Sequence, residues 1–445
     1  MIVKPLKKPF SAELSQIASD KSISHRCAIF SLLCNKASRI KNYLSAEDTL
    51  NTLNIIIALG AKVEVHENGA LRELKLGDSL KLKGLYINEL IITPPEQIKE
   101  PACVLECGNS GTAMRLFLGL LSACKGHFIL SGDEFLNTRP MKRVSAPLTQ
   151  VGAKIDGRDD GERAPISIRG DKLKYFKFKS QISSAQVKTA LILAGLLSEG
   201  CEFSESELSR DHTEKMLLGM QAPIKIKENS EIAVSPLKTA LKPLEIEVPN
   251  DPSSAFFYAV AAAIIPDAKI VLKNMLLNKT RIEAYKVLEK MGAKIKFVQT
   301  STKYESIGDI EVAYAPLKAV KVSENISWLI DEAPALAIAF ACADGTSELT
   351  NAKELRVKES DRIAVSVAGL RACGIEASEL EDGFMVTGGR PKQSIIDSHG
   401  DHRIAMSFAI LGLLCGMEIK KSEFIATSFP NFSEILRDLG ASVED

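Results

Sequence analysis

Leu355 to Ala364 reads LRVKESDRIA and packs Arg356, Lys358, Glu359, Asp361 and Arg362 into seven positions. The apolar residues that follow fall at helical spacing, so these charges stand where a loop enters a helix. Carboxylates are stabilised there by unpaired N–H groups and the positive end of the helix dipole. Three cations are not, unless something negative sits among them. The pattern recurs, with Arg139, Arg210, Arg281 and Arg362 in NTRPMKRV, SRDHTEKM, NKTRIEAY and KESDRIAV, each ahead of an amphipathic pattern. Lys21, Ser22 and Arg26 (DKSISHR), Arg115 (GNSGTAMR), Ser184, Gln186 and Lys188 (SSAQVK), Asp331 (DEAP) and Arg403 (GDHR) open more apolar ones. A helix start presents N–H groups to phosphate or carboxylate, and arginine's planar fork binds such anions through paired bonds. For any single arginine, a solvated helix start or a surface ion pair is the commoner arrangement. Many independent starts carrying such groups favour one ligand with several negative charges. GNSGTAMR lacks the G-K-[ST] ending of a nucleotide-binding P-loop.

A repeat positions these groups. An amphipathic helix ending in Gly-Ala and feeding a strand recurs as IIIALGAKVEV, LTQVGAKIDG, LEKMGAKIKF and LRDLGASVED, with weaker copies LLGMQAPIKI and LRACGIEAS. Gly60, Gly152, Gly219, Gly292, Gly374 and Gly440 are the expected left-handed C-caps. A second helix type alternates with the first and is apolar on every side, as in SSAQVKTALILAGLL and DPSSAFFYAVAAAII, which predicts burial. The 445 residues over six copies give about 74 each, longer than the roughly 20–50 residues of common solenoid periods. The expectation is therefore two similar α/β domains of three units. Each unit runs strand, buried helix, strand, amphipathic helix, strand pair, with helices inside and sheets outside. Repeat phase puts the crossing between domains near 236–250.

Composition narrows the classes. Lys+Arg and Asp+Glu both total 56, so a general nucleic-acid or anionic-membrane surface is not expected. Nine cysteines show no paired C-x-x-C spacing and six histidines no H-E-x-x-H, so reduced thiols and no metal site are expected. The opening MIVKPLKKPFSAEL lacks a signal-peptide core, and the longest apolar run, FFYAVAAAII, is too short to span a bilayer. A soluble, cytoplasmic protein is expected.

The motifs LECGNSGTAMRL and LRVKESDRIA resemble those of the 5-enolpyruvylshikimate-3-phosphate synthases. DKSISHR, RPMKRV, SSAQVK, SRDHTEKM, NKTR, LIDEAP and GDHRIAM support the likeness, which spans the chain and is nearest the class II branch. The resemblance implies two domains, 20–245 and a discontinuous 1–19 plus 246–445, each of three βαβαββ units, with the active site in the cleft between them. It implies transfer of the enolpyruvyl group of phosphoenolpyruvate to the 5-hydroxyl of shikimate 3-phosphate, with release of phosphate and no cofactor or metal. A monomer is expected, with no nucleic-acid or membrane partner. Carried over by position, Lys21 would contact both substrates. Ser22, Arg26, Ser184, Ala185, Gln186, Arg210 and Lys358 would hold shikimate 3-phosphate. Gly111, Arg139, Gln186, Arg362 and Arg403 would hold phosphoenolpyruvate. Asp331 would be the base on the 5-hydroxyl, Glu359 the proton donor to carbon, and Lys21 a third catalytic group. Ala185 stands where many relatives have a second serine, and Thr427 where some have a lysine. A rival within the fold, the enolpyruvyl transferase of UDP-N-acetylglucosamine, uses a loop cysteine as its acid, and Cys107 lies beside GNSGT.

Overall fold

The computed structural model describes residues 1–67, 69–227, 231–301 and 305–444. Met1–Ala18 with Pro249–Asp445 make one compact unit, and Ser19–Val248 the other. In the Ser19–Val248 unit three helices, Lys21–Ser31, Gly111–Ser122 and Ala185–Leu196, are almost wholly buried. The other unit buries Pro252–Ile264, Ala333–Ala341 and His402–Cys415 in the same way. A helix apolar on all sides gains stability only when surrounded. Its few hydroxyls turn back on the helix: Ser31 donates to the Cys27 carbonyl, Ser122 to Leu118 and Ser407 to Arg403. Each of these three hydroxyls is satisfied within its own helix.

Among the described residues six small sheets flank these helices, three per unit. Each opens with a parallel strand pair and continues antiparallel. In one, Phe176–Ser180 runs parallel to Cys201–Glu205, which pairs antiparallel with Ile232–Val234 and then Ile224–Ile226. Parallel pairing needs a crossover, and the buried helix supplies it. Arg163–Gly170 alternates exposed and buried residues along its length, so one face packs inward and the other meets water. Three sheets are closed by strands distant in sequence, one of them by Ala12 pairing with Ile270. Ile246 pairs with Ile40, and Ile2 lies between Glu418 and Glu444.

The amphipathic helices are Glu47–Ala58, Lys142–Gln150, His212–Gly219, Glu283–Lys290, Arg362–Ala372 and Phe432–Asp438. Five of the expected glycines follow them at positive φ: Gly60, Gly152, Gly292, Gly374 and Gly440. The sixth expectation fails. Gly219 is the last residue of its helix, and the left-handed position falls on Gln221, at φ 60°. Aligning MQAP with LGAK, instead of matching glycine to glycine, restores the register. Among the described residues no helix is long and apolar enough to cross a membrane, and none of the nine cysteines is in a disulfide.

Candidate active site

Buried helices of the Ser19–Val248 unit begin with side chains that satisfy their own first N–H groups. Asp20 accepts from Ile23 N–H at 2.7 Å, Ser110 from Ala113 at 3.1 Å and Ser184 from Val187 at 3.5 Å. Ala185 and Gln186 then open the third helix. Gln186 joins it to the second, accepting from Arg115 Nη1 at 2.5 Å and donating to Thr112 Oγ1 at 2.8 Å. Gly111 leads the second helix with Arg139 beside it. A Cβ built on Gly111 would lie 3.0 Å from the Arg139 guanidinium and 3.2 Å from that of Arg115. Gly111, Arg139, Arg115 and Gln186 therefore form one cationic corner. Glycine is needed there to let two guanidinium groups approach a helix start.

Lys21 pairs with Asp48 at 3.1 Å. Ser22, half-buried, offers its carbonyl to Arg26 Nη1 at 3.0 Å. Arg26 is itself 2% exposed and also donates to Thr213 and Thr189 at 2.8 and 2.9 Å. Arg210 stands in the loop before His212–Gly219, half-buried. His25 Nδ1 lies 2.7 Å from Thr52 Oγ1 and its Nε2 3.3 Å from Ser110 Oγ. Thr52 spends its proton on the Asp48 carbonyl, so His25 donates from Nδ1 and accepts the Ser110 proton at Nε2. Burial, then Lys21 and Arg26, holds this imidazole well below its ordinary value. It remains neutral.

In the other unit the chemistry is carboxylate-rich. Arg362, 1% exposed, donates from Nε to Asp401 at 2.8 Å, from Nη2 to Asp401 at 3.2 Å and Glu359 at 2.6 Å, and from Nη1 to Asp331 at 3.4 Å. Burial alone would lower its proton affinity, yet Asp401, Glu359 and Asp331 carry it well above its ordinary value. Lys358 meets the same Asp331 oxygen at 3.3 Å. Asp401 also caps the His402–Cys415 helix and takes a bond from Ser360, which fixes Arg403 two residues on. Arg403 lies over the Phe257 ring, 6.0 Å from its centre, with Nη1 3.4 Å from the Ser253 carbonyl.

Asp331, Glu359 and Asp401 are thus gathered around one cation, Arg362, with Lys358 on Asp331 and the Arg403 N–H on Asp401. Sequence reading quoted Asp401 in GDHR without giving it a part. An aspartate one position before an apolar helix was the available signal. Arg356 is spent elsewhere in the unit: it bonds the Glu381 and Leu380 carbonyls, Asp361 and Glu379. Arg281 meets Asp251 at 2.8 Å and Ser253 Oγ at 3.0 Å. Thr427 ends the turn Ser422–Thr427, its hydroxyl on the Phe424 carbonyl. Cys107 is fully buried, and burial, with Glu106 and Asp48, pushes its thiol well above the ordinary range. A thiol placed this way is a packing residue and a poor acid for a solvent-borne substrate.

The family model for EPSP synthase (3-phosphoshikimate 1-carboxyvinyltransferase) matches residues 6–436. The chain is 66% identical to the 3-phosphoshikimate 1-carboxyvinyltransferase of Campylobacter fetus over all of both chains. Its identity to that of Sulfurimonas denitrificans is 56%, over 97% of this chain and 96% of the other. The solved EPSP synthase of Acinetobacter baumannii superposes with a TM-score of 0.83 at 36% identity, covering 100% of this chain and 99% of that one. The cationic helix starts and the carboxylate cluster therefore sit on a fold shared along its whole length, and this chain belongs to the EPSP synthase family.

Proposed function

We propose that the protein transfers the enolpyruvyl group of phosphoenolpyruvate to the 5-hydroxyl of shikimate 3-phosphate, in the pathway to aromatic amino acids. The observation that carries the reading is the cluster of Asp331, Glu359 and Asp401 on Arg362, with Lys358 beside Asp331, within a chain that matches the family over residues 6–436. Both substrates bear a phosphate and a carboxylate, which suits the cationic corners. Both units supply groups to one reaction, the pieces 20–245 and 1–19 plus 246–445 acting as lobes.

The reaction is addition followed by elimination. In addition, the 5-oxygen attacks C2 of phosphoenolpyruvate while C3 gains a proton, and the hydroxyl proton leaves to a base. In elimination, C3 gives up a proton and the C–O bond to phosphate breaks, restoring the double bond. Asp331 takes the hydroxyl proton and Glu359 serves C3, with Lys21 and Lys358 balancing the charge. Arg362 and Arg403 hold the phosphoenolpyruvate carboxylate, and Gly111, Arg139 and Gln186 its phosphate. Ser22, Arg26, Ser184, Ala185, Gln186 and Arg210 hold shikimate 3-phosphate, Arg210 making up for the hydroxyl that Ala185 lacks.

Arg362 links binding to protonation. Its four bonds engage four of five guanidinium N–H groups, two of them on Asp331 and Glu359. A substrate carboxylate that takes over Arg362 frees Glu359 from its 2.6 Å bond to that arginine. Glu359 is then free to serve C3.

Phosphate release with the two substrates, for the wild type and for Asp331→Ala and Glu359→Gln, tests the reading. Turnover that is lost in the variants while both ligands still bind supports it. Wild-type turnover in either variant, or no phosphate release from the unaltered protein, overturns it. The protein acts as a monomer in the cytoplasm on this reading.

A further inference from the structure

One buried group of charges has no part in that reaction. Lys188 bonds Glu205 at 2.8 Å and Glu214 at 2.7 Å, the three side chains being 1%, 2% and 3% exposed. Burial pushes the Lys188 ammonium down, but Glu214 and Glu205 carry it above its ordinary value. Burial raises Glu214 despite Lys188. A buried ion triad is a weak device for stability, since apolar residues of similar volume often serve as well. Its surroundings point to another use.

Glu205 ends the strand Cys201–Glu205. Its Oε1 accepts from the Ser209 N–H at 2.8 Å and the Ser209 hydroxyl at 3.0 Å. Lys188 donates to the Ser209 carbonyl at 3.4 Å. Ser209 immediately precedes Arg210. The triad thus holds the N–H and the carbonyl of one residue, next to an arginine assigned to the substrate. Glu214 lies on His212–Gly219 and Lys188 on Ala185–Leu196, so their pair ties two helices. One residue from each, Thr213 and Thr189 share a hydroxyl bond at 2.5 Å, and both accept from Arg26. Ser209 is held by the triad directly, and Arg26 by threonines that neighbour Lys188 and Glu214 on the two helices that the triad ties together.

We propose that Lys188, Glu205 and Glu214 are positioning residues for the shikimate 3-phosphate subsite, acting through Arg210 and Arg26. The inference rests on the reading that those two arginines hold this substrate. Glu205→Ala removes the anchor of Ser209, and Glu205→Gln keeps an oxygen acceptor there. For Glu205→Ala, KM for shikimate 3-phosphate is expected to rise about tenfold, while kcat and KM for phosphoenolpyruvate move less than about threefold. Glu205→Gln recovers most of the loss. In an Arg210→Ala background the Glu205→Ala change adds less than about twofold, because the arm being positioned is gone. An unchanged KM in folded Glu205→Ala, an equal fall in every constant, or a full effect without Arg210 overturns the proposal. Should Glu205→Ala not fold, Ser209→Ala loses a single bond and carries the same test. A KM rise of about twofold to threefold that disappears without Arg210 is then expected, and an unchanged or additive KM overturns it. Failure of the unaltered enzyme to consume shikimate 3-phosphate would instead overturn the underlying function, and is seen before any variant is made.

Discussion

Arg281 and Arg362 hold the same place in successive repeats, ahead of an amphipathic helix, and both are 1% exposed. Arg281 has Asp251 and Ser253 among its partners, both at the start of one buried helix. Arg362 has Asp401 at the equivalent helix cap, with Glu359 and Asp331 added and Lys358 nearby. Against two cations, Arg362 and Lys358, stand three carboxylates, Asp331, Glu359 and Asp401. The repeat thus supplies one structural feature, an arginine clamped to a helix-capping aspartate. In the Arg362 copy the clamped arginine also bonds Glu359 and Asp331, the two acids proposed to move protons. A carboxylate bonded to such an arginine is suited to acid–base chemistry, the part proposed for Glu359.

The comparison can be broken most directly at Glu359. Glu359→Gln keeps its shape and removes the proton, so kcat for phosphate release should fall by about 10²–10⁴-fold with ligand binding retained. Equal turnover would make Glu359 a helix-start acid like any other. Arg281→Ala probes the opposite arm. It leaves Asp251 buried without this cation, and thermal unfolding should show a loss of about 3–5 kcal/mol. kcat of the surviving folded protein should be unchanged, and a selective loss of kcat would put Arg281 in the site. Gly111→Ala sharpens the contrast from the other unit. Its Cβ meets Arg139 at 3.0 Å, so the arginine must give way. KM for phosphoenolpyruvate should rise about tenfold, near the cost of mild overpacking, with a small change in melting temperature.

The smallest effect concerns His25. Its folded-state proton affinity is depressed from the ordinary value of 6.5, chiefly by burial. The unfolded chain therefore takes up the proton first as pH falls below about 6.5, and stability drops by up to about 1.4 kcal/mol per pH unit. Above that pH both states are neutral and His25 adds no pH dependence. Urea midpoints at pH 7 and 5.5 should show this slope in the wild type and a reduced one in His25→Gln. Equal slopes would mean that His25 does not titrate between the two states.

Much of the architecture was legible because its signals are local. Six uniformly apolar helices needed burial whatever surrounded them, and glycine after an amphipathic helix is a backbone requirement. The Gly219 misassignment shows the limit. Glycine is favoured at a left-handed position but not obligatory, and Gln221 occupies it at φ 60°. Site residues were legible only as types and motifs. Only the family resemblance separated Arg362, which holds three carboxylates, from Arg356, left as structural, which holds the Glu381 and Leu380 carbonyls; charge and spacing in LRVKESDRIA do not. Asp401 and Lys188 were quoted within motifs, but their partners lie far along the chain.

The amino-acid order by itself determined the repeat, the alternation of buried and amphipathic helices, and the density of anion-binding groups at helix starts. Those depend on periodicity and caps within a few residues. Tertiary structure decided which cation meets which acid: Arg362 with Asp401, Lys188 with Glu205 and Glu214, Arg26 with Thr189 and Thr213. Charge interactions depend on distance in space and on burial, and neither is set by spacing along the chain.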